Sequence, residues 1–474
     1  MNIEKKKSNF VIHFIGIGGI GMSGIAELML DQGYIIQGSD LSLNANVKRL
    51  KNKGVKIFLN HKKSNIKNIS AAVFSSAISQ KNLEIKKCKE LSIPLVSRAD
   101  MLAELMRNKN SIAIAGSHGK TTTTSLVGTI LESAKLDPTI VNGGIINAYL
   151  KNNRLGLGKW MVVEADESDG SFLKLPHEIN IITNIDIEHL DYYKKKINII
   201  NAFKKFINNL PFYGYSIICI DDESSKRLSK KIKTRKIITY GYKNKKADVR
   251  IQEIKYKDKN TIFSLSTNKG IISGYSGTFK FKSNLLGKHN VLNATAAIIV
   301  SMLLSVSIKN IQSALENFEG VKRRFSFIGK IKESHIYDDY AHHPTEIMAS
   351  YEVAKLLAEK KIIVVFQPHR FSRTRFLYKD FIKVLKKIDV LYIYDIYAAG
   401  EKPIKNVNSK ILVRDLQQKH RQVFYINKNK NINKILSPYY HDKNLIVFMG
   451  AGSITYEAHK LVKENNVRPN SKNI

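Results

Sequence analysis

Two glycine-rich turns each join an apolar run to a helical pattern, and they constrain the fold of this chain more than any other feature. The first is Gly16-x-Gly18-x-x-Gly21 in HFIGIGGIGMSGIAEL, and Asp40 follows 19 residues after Gly21. This spacing is a dinucleotide-binding fingerprint, in which glycines allow a tight turn close to phosphate and the acid meets a ribose hydroxyl. A strand, a phosphate-binding turn and a helix are therefore expected here.

The second turn, in AIAGSHGKTTTT, places Gly116, Gly119, Lys120 and Thr121 between a strand pattern and a helix pattern. In a P-loop, backbone amides and the helix N-terminus hold phosphate oxygens, the lysine neutralises charge and the threonine reaches a metal ion. Ile114 stands where the usual G-x-x-x-x-G-K-[ST] motif has its first glycine. The flanking strand and helix still favour a nucleoside triphosphate site over a chance GKT.

Short apolar runs alternate with amphipathic stretches along the whole chain, which predicts parallel sheets with helices on both faces. We expect an α/β fold with three domains, at 1–106, 107–322 and 323–474. The first and third are expected to be Rossmann-like. The central domain is expected to resemble a P-loop ATPase, with a β-rich segment before a helix that begins near Asn290.

The charge balance raises the question of a nucleic-acid partner. The chain has 77 Lys and Arg against 40 Asp and Glu, a net charge of +37, and such a charge is typical of nucleic-acid-binding proteins. Here, however, the basic residues lie in short clusters along the whole chain, without zinc-finger spacing or aromatic residues between them. An anionic small substrate is the better interpretation, and we expect no nucleic acid.

Cysteine usage and hydropathy indicate a cytoplasmic protein. Cys88 and Cys219 lie far apart without metal or redox spacing, which fits a reducing compartment and two buried fillers. The apolar stretch 11–30 follows KKK, but it contains His13, Glu27 and five glycines. A signal peptide or membrane span is therefore not expected. We expect a monomer or homodimer that does not enter a membrane.

Acidic residues follow the next two strand patterns of the central domain. They are Glu164, Asp166, Glu167 and Asp169 in VVEADESD, and Asp186, Glu188 and His189 in TNIDIEHLD. The carboxyl ends of parallel strands meet at one edge of a sheet, so these groups should lie near the loop at 116–121. We predict Thr121, Glu164 and His189 as ligands of Mg²⁺. A loop histidine satisfied by its neighbours is the alternative for His189.

Two motifs near the second domain boundary are candidates for nucleotide contacts. LGKHNVLNATAA holds His289, Asn290 and Asn293, which either cap a helix or face a purine. GVKRRF places Arg323 and Arg324 where domain closure would bring a guanidinium onto a γ-phosphate. A solvated basic hinge is the alternative for the arginines.

Two strand ends of the third domain carry a further set of polar residues. They are Asp338, Asp339, His342 and His343 in YDDYAHHPTE, and His369, Arg370, Arg373 and Arg375 in FQPHRFSRTR. Ligands bind at this edge of open α/β sheets. Arg370 and Arg373 are three residues apart, so on a helix start they would share a face and clamp a carboxylate.

Together with DIYAAGE and MGAGSI, these motifs resemble in order those of the Mur ligases, from His13 to about Ile454. The resemblance implies that the three domains bind a UDP-sugar, ATP and an amino acid. It implies that ATP phosphorylates the lactyl carboxylate of UDP-N-acetylmuramate in peptidoglycan precursor synthesis. The amine of L-alanine then attacks the acyl phosphate, and phosphate leaves to give an amide and ADP.

The resemblance also implies residue roles. Catalysis is assigned to Lys120, His189 and Arg324. The predicted ATP contacts are Gly116, Ser117, His118, Gly119, Lys120, Thr121, Thr122, His289, Asn290, Asn293, Arg324 and Asp339. The predicted contacts to the UDP-sugar and the amino acid are Gly16, Gly18, Gly19, Gly21, Met22, Ser23, Ser39, Asp40, His118, Tyr337, His342, Arg370 and Arg373. The cation, Mg²⁺ or Mn²⁺, is assigned to Thr121, Glu164 and His189. Many Mur ligases carry a carbamylated lysine at the metal site; YYKKKINIINAFKK contains several lysines, and which of them would correspond to it stays open.

Three other functions fit parts of the sequence. A recycling ligase, which attaches a preformed tripeptide to the same nucleotide sugar, shares most of these motifs. DIYAAGE and QPHRFSRTR resemble the alanine-adding branch instead. A nicotinamide-dependent dehydrogenase would leave GSHGKTTTT and the acidic clusters without a purpose, and a basic nucleic-acid-binding ATPase is supported by charge alone.

Overall fold

The computed structural model describes residues 10–75, 77–147, 151–186, 188–418, 422–427 and 429–466. The described strands form three sheets, and this confirms the predicted α/β class with three successive domains. The chain divides into two compact units, of which the first contains the first sheet and nearly all of the second. That unit runs to Lys255 and includes Ile262–Asn284 and Asn290–Glu319. The second unit contains the third sheet and includes Tyr256–Thr261, Leu285–His289 and the chain from Gly320 onward. The exact domain boundaries stay a prediction.

The first sheet is fully parallel. Its strands are β1 (Val11–Ile15), β2 (Ile35–Ser39), β3 (Lys56–Phe58), β4 (Ala71–Phe74) and β5 (Leu95–Ser97). Its helices are α1 (Ile20–Asp31), α2 (Ala45–Asn52), α3 (Leu83–Glu90) and α4 (Arg98–Met106). The strand order is β3-β2-β1-β4-β5. Because β1 is central and helices cover both faces, Phe14 and Ile15 are fully buried.

The second sheet is mixed and has ten strands. They are β6 (Asn110–Ala115), β7 (Thr139–Ile146), β8 (Lys151–Arg154), β9 (Trp160–Glu164), β10 (Ile179–Ile182), β11 (Tyr215–Cys219), β12 (Lys236–Gly241), β13 (Val249–Lys257), β14 (Asn260–Ile272) and β15 (Tyr275–Ser283). Its helices are α5 (Lys120–Ser133), α6 (Leu190–Tyr193), α7 (Lys196–Asn208), α8 (Glu223–Lys231), α9 (Lys288–Leu303) and α10 (Ile308–Glu316). The order is β15-β14-β13-β12-β11-β10-β6-β9-β7-β8.

The sequence predicts most of this sheet, including the β-rich segment that forms β13, β14 and β15. It does not predict the antiparallel hairpin of β7 and β8 at the edge of the sheet. The residues of β8 read KNNR, without the apolar alternation that indicates a strand. A charged and polar sequence is common on an edge strand, because it discourages the free edge from pairing with another chain.

The third sheet is parallel except at one edge. Its strands are β16 (Ser326–Ile331), β17 (Ser334–Asp339), β18 (Ile362–Phe366), β19 (Val390–Tyr394), β20 (Val423–Ile426) and β21 (Leu445–Met449). Its helices are α11 (Pro344–Leu357), α12 (Phe371–Phe376), α13 (Tyr378–Leu385), α14 (Ser409–Gln417), α15 (Ile432–Leu436) and α16 (Ile454–Asn466). The order is β16-β17-β21-β18-β19-β20, with β16 antiparallel to β17.

Two expectations about composition can be compared with the fold. Both cysteines are buried, as predicted from their isolated positions. None of the helices in the described part of the chain has the length and hydropathy that a membrane span requires.

A buried polar network joins the strands of the first domain at their carboxyl ends. The Glu84 carboxylate accepts hydrogen bonds from Ser39 Oγ at 2.6 Å and Asn65 Nδ2 at 2.7 Å. His61 Nδ1 lies 2.7 Å from Oε2, and His13 Nε2 lies 3.4 Å from Oε1. Burial opposes the charge on Glu84, but the contacts with these four residues hold the pKa of its carboxyl below the ordinary value.

The network predicts a pH-dependent stability of the first domain. Because the folded pKa of Glu84 lies below the unfolded value of about 4.3, the carboxylate stabilises the folded state above that pH. This contribution is lost as the pH falls through the folded pKa. We expect Glu84→Gln to lower stability at pH 7 by about 1–3 kcal/mol, because a buried donor loses its acceptor.

Hydrogen exchange of the β1 and β2 amides at pH 7 and pH 4 measures this change locally. Glu90→Gln is the control, since Glu90 is the exposed last residue of the same helix. Equal protection of the β1 and β2 amides in both variants at pH 7 would contradict the assigned role of Glu84.

Candidate active site

Three parallel strands of the second sheet bring the predicted phosphate loop and both acidic motifs together. Strand β6 pairs with β9 on one side and with β10 on the other. The loop after β6 contains Gly116–Lys120, the segment after β9 contains Glu167, and the segment after β10 contains His189. The predicted meeting of these strand ends at one sheet edge is confirmed.

The phosphate loop is held in place by the strand next to it. Asn184, just beyond β10, accepts the Ser117 amide through its carbonyl at 3.1 Å and the His118 amide through Oδ1 at 2.9 Å. Thr183 Oγ1 donates to the His118 carbonyl at 2.6 Å. Neither Thr183 nor Asn184 was predicted from the sequence as a site residue. Their position directly before the acidic motif is the signal that would have found them.

The glycines of this loop adopt a backbone conformation that L side chains rarely adopt. Gly116 has φ +138° and Gly119 has φ +86°, and Gly119 is the N-cap of α5. A Cβ at Gly116 would collide with Thr183, and one at Gly119 with Asn293. The following residues, Thr121 and Thr122, are buried in the first turn of α5.

Lys120 folds back over the loop toward a buried acid. Its Nζ donates to the Gly116 carbonyl at 2.5 Å and lies 2.8 Å from Glu167 Oε2. Burial opposes the ammonium charge, but Glu167, Asp166 and Glu164 together raise the pKa of Lys120 above its ordinary value. Lys120 is therefore a permanent cation at the loop.

A carboxylate-rich cluster lies beside this lysine. Glu167, Glu188 and His189 each place one ligand atom within 4.8 Å of the others. The Glu167 side chain is almost fully buried, and burial raises its pKa to about 7 against the opposing charge of Lys120. His189 has φ +55°, and its Nε2 lies 3.6 Å from Glu167 Oε1.

The donors of this cluster fit a divalent cation that takes mainly oxygen ligands. Two carboxylates and one imidazole converge, and the Glu167 side chain is almost fully buried. His189 was predicted as a ligand, whereas Glu167 and Glu188 were noted only as neighbouring acids. Glu164, the other predicted carboxylate, accepts the Gly143 amide through Oε2 at 2.8 Å. The ligand set of Thr121, Glu164 and His189 stays a prediction.

His118 is part of the same loop, and Asn293 packs against it. His118 Nε2 lies 3.3 Å from Asp186 Oδ2. Helix α9 brings Asn293 over Gly119, where Asn293 Nδ2 donates to Asn290 Oδ1 at 3.4 Å. His289 lies at the start of the same helix. Burial and the charge of Arg324 lower the pKa of His289 to about 4, so its imidazole is neutral at pH 7.

The first glycine turn lies at the carboxyl end of β1, as predicted, but its polar groups are largely engaged within the protein. Asp40 Oδ2 accepts the Gly18 amide at 2.8 Å. The Ser39 side chain is fully buried, and its hydroxyl donates to Glu84 instead of facing solvent. Gly19 is the N-cap of α1, Gly21 lies in its first turn, and Met22 and Ser23 are buried.

In the second unit, the two arginines of GVKRRF pack against Tyr340, which directly follows β17. The guanidinium of Arg323 lies over the Tyr340 ring at 4.6 Å and donates to the Gly450 carbonyl at 2.9 Å. Arg324 lies over the same ring at 5.3 Å. Asp339 is buried and accepts the Ser350 hydroxyl at 2.7 Å, and burial raises its pKa to about 6.

The predicted carboxylate clamp lies at the end of β18. Arg370 has φ +68° and is the N-cap of α12, so Arg373 lies within the helix and Arg370 just before it. Arg373 Nη1 lies 3.1 Å from His369 Nδ1. Burial, together with His342 and these arginines, lowers the pKa of His369 to about 3. The clamp region is therefore strongly cationic, with a neutral imidazole at its centre.

Two other predicted residues of this domain, His342 and Tyr337, pack against aromatic rings within the second unit. The rings of His342 and His369 lie 5.7 Å apart, and His369 stacks on Tyr397 at 5.5 Å. Tyr337 packs against Phe325 at 4.8 Å. A cavity of 410 Å³ adjoins Tyr397 at this sheet edge, and Gln367, Phe371, Asp395, Ser453 and Glu457 are among the residues that line it.

Comparison with known proteins gives the same three-part division. Family models match at residues 11–110 (Mur ligase family, catalytic domain), 114–301 (Mur ligase middle domain) and 323–452 (Mur ligase, glutamate ligase domain). The UDP-N-acetylmuramate–L-alanine ligase of Rickettsia peacockii is 46% identical over 467 residues, which cover 97% of this chain and 96% of the relative. The corresponding ligase of Rickettsia typhi is 46% identical and is covered over 94% of its length.

Solved structures share the fold. The UDP-N-acetylmuramate–alanine ligase of Thermotoga maritima has a TM-score of 0.81 and 28% identity, covering 96% of this chain and 98% of the other. A murein peptide ligase of Psychrobacter arcticus has a TM-score of 0.72 and 22% identity, covering 97% and 99%. The chain belongs to the Mur ligase family.

Proposed function

We propose that this chain ligates L-alanine to the lactyl carboxylate of UDP-N-acetylmuramate at the expense of ATP. The observation that carries the proposal is the likeness over almost the full chain to ligases named for this reaction. A carboxylate is a poor electrophile toward an amine, so the reaction proceeds through an acyl phosphate. ATP supplies the phosphoryl group and leaves as ADP.

Lys120 is the central residue of the phosphoryl transfer. Phosphoryl transfer is catalysed mainly by positioning and by stabilisation of charge on the moving group. The Lys120 ammonium and the amides at the start of α5 are the groups suited to hold the β- and γ-phosphates. We assign Gly116, Ser117, Gly119, Thr121 and Thr122 to the same contact. Arg324 would add a second positive charge during transfer.

A divalent cation, Mg²⁺ or Mn²⁺, would neutralise charge on the transferring phosphoryl group when bound. The ligands that we propose are His189 with Thr121 and Glu164, to which the cluster adds Glu167 and Glu188. Oxygen donors dominate this set, as Mg²⁺ prefers. In the structure Glu167 pairs with Lys120, so each could exchange its partner for a bound ligand of opposite charge.

The nucleoside contacts of ATP are proposed at the start of α9 and the end of β17. Asn290 and Asn293 carry amides with both donors and acceptors, which suit a purine edge. His289 is neutral at pH 7 and offers the same pair of functions. Asp339 is the proposed ribose contact, although its carboxylate is already hydrogen-bonded to Ser350.

The UDP-sugar is proposed to bind at the first glycine turn, with the lactyl carboxylate toward His118. Gly16, Gly18, Gly19 and Gly21 shape the turn, and Asp40 is the proposed nucleoside contact. The fully buried hydroxyl of Ser39 does not face this surface. Met22 and Ser23, both buried, support the turn from within α1.

L-Alanine is proposed to bind in the cationic region at the end of β18. Arg370 and Arg373 are suited to its carboxylate, since a guanidinium binds a carboxylate through two parallel hydrogen bonds. His342 and Tyr337 are proposed to line the pocket for the small side chain. The roles of these residues rest on their match to the family motif and on their common sheet edge.

Turnover with each candidate amino donor tests the function directly. We expect ADP release with UDP-N-acetylmuramate and L-alanine, and none with L-alanyl-γ-D-glutamyl-meso-diaminopimelate as the donor. The comparison with the murein peptide ligase is at 22% identity and supports the fold alone. Turnover with the tripeptide only would overturn the proposal.

Removal of the loop ammonium should stop catalysis while the nucleotide sugar still binds. We expect Lys120→Ala to lower the rate of ADP formation at least about a hundredfold, because the transition-state charge loses its main cation. Calorimetry should give an unchanged Kd for UDP-N-acetylmuramate. Lys135→Ala, at an exposed position just beyond the far end of the same helix, is the matched control. Loss of both ADP formation and UDP-N-acetylmuramate binding in Lys120→Ala would mean that the loop has another role.

Carboxylate variants distinguish the two ligand sets for the cation. We expect EDTA to abolish turnover and Mg²⁺ or Mn²⁺ to restore it. Glu167→Gln and Glu164→Gln should each raise the Mg²⁺ concentration needed for half-maximal rate, since each removes a charged oxygen ligand. Mn²⁺ binding followed by electron paramagnetic resonance gives a readout that does not depend on turnover. Unchanged Mn²⁺ affinity in a variant removes that residue from the ligand set.

A further inference from the structure

The first glycine turn has few backbone amides left for a phosphate. The Gly16 and Ile17 amides both donate to the Ser39 carbonyl, at 2.9 and 3.0 Å. The Gly18 amide donates to Asp40, and the Gly19 amide donates to the Gly16 carbonyl at 3.3 Å. The fingerprint predicts that such amides approach a pyrophosphate. In this chain these amides fix the shape of the turn. The two negative charges of a pyrophosphate therefore require other partners.

A guanidinium lies beside the helix that follows this turn. Arg98 is the first residue of α4, and its side chain lies beside Gly21 in the first turn of α1. A Cβ at Gly21 would lie 3.1 Å from Arg98 Nη1 and 3.2 Å from Arg98 Cδ. Glycine at this position therefore lets the guanidinium reach the N-terminus of α1.

Arg98 has no protein partner for its charge at close range. Within the described ranges of the chain, its guanidinium forms no hydrogen bond and no ion pair. The nearest acid on α4 is Asp100, whose carboxylate is bound by Ser97 Oγ at 2.6 Å and Lys174 Nζ at 2.9 Å. Arg98 is half-buried between the first turns of α1 and α4. Its positive charge is available to a bound anion.

This placement is electrostatically unfavourable for the protein alone. The N-terminus of a helix carries a partial positive charge, and a cation there is repelled. Arg98 lies at the N-termini of both α1 and α4. The N-cap of α1, Gly19, provides no side-chain cap. An anion at this point would pair with the guanidinium and lie at the positive end of the helix.

We propose that Arg98 binds the pyrophosphate of the UDP-sugar at the N-terminus of α1. The inference rests on the proposed function, because the UDP-sugar is the anionic substrate assigned to this turn. Each group at this turn then has a separate role. The glycines and Asp40 shape the turn, α1 supplies the positive end of its dipole, and Arg98 supplies the charge.

One other role for Arg98 must be distinguished by experiment. Its charge also reaches Asp166 in the central domain. Burial opposes ionisation of Asp166, but Lys120, Ser168 and Arg98 hold the pKa of its carboxyl below the ordinary value. If Arg98 acted mainly through Asp166, its loss would change the ATP-dependent step and leave the UDP-sugar affinity unaltered.

Steady-state kinetics on the full-length chain separate these roles. We expect Arg98→Gln to raise KM for UDP-N-acetylmuramate about ten- to a hundredfold. This is the loss of affinity expected when one hydrogen bond between charged groups is removed. KM for ATP and for L-alanine should not change. Calorimetry with UDP as the probe should show a similar loss of affinity, because UDP retains the pyrophosphate and lacks the sugar. Arg98→Lys should recover part of the affinity, since it keeps the charge without the planar fork.

Arg107→Gln is the matched control, because Arg107 caps the far end of α4 and pairs with Glu104. It should leave all three KM values unchanged. Unchanged UDP affinity in Arg98→Gln, or a change confined to kcat or to KM for ATP, would overturn the proposal. Failure of the proposed function is a different result, since the unmodified chain would then release no ADP with UDP-N-acetylmuramate and L-alanine.

Discussion

The hydrogen bonds from Thr183 and Asn184 to the loop after β6 are the interaction on which the chemistry of the first unit depends. They exist because β6 and β10 are adjacent and parallel, so that the residue after one strand reaches the backbone after the other. With the loop fixed, Lys120 can lie over it and pair with Glu167 from the third strand end. A buried cation and a buried carboxylate then stabilise each other, and both are available to ligands of opposite charge. The loop, the lysine and the cation cluster form one electrostatic system.

The two glycine turns look alike in sequence, yet they work differently in this fold. In the first, most amides are engaged within the protein, and Asp40 holds the turn. In the second, Asn184 accepts the Ser117 and His118 amides, and Lys120 supplies the charge. Glycine spacing records only where the backbone must turn sharply. What binds there depends on the side chains that neighbouring elements bring, here Arg98 for the first turn and Lys120 for the second.

Sequence patterns predict the parts of the fold in which local pattern and tertiary structure agree. The buried parallel strands are nearly continuous apolar runs, so β1, β6 and β18 were expected, and their ends located the site. The edge strand β8 was not expected, because its residues KNNR show no apolar alternation. The partners of Glu84 come from three separate segments, and no spacing rule connects them. For the same reason, Glu167 and Glu188 could be noted as acids near His189, while their convergence required the fold.

In the proposed reaction, ATP activates the lactyl carboxylate as an acyl phosphate before L-alanine attacks. Transfer of an oxygen label from the carboxylate to phosphate reports on this step. With UDP-N-acetylmuramate labelled with ¹⁸O in both carboxylate oxygens, attack by the carboxylate on ATP places one labelled oxygen between carbon and phosphorus. Departure of phosphate from the tetrahedral intermediate then carries that oxygen away. Mass spectrometry of the released phosphate should therefore show one ¹⁸O atom for each amide formed. Unlabelled phosphate, formed in step with the amide, would contradict the account.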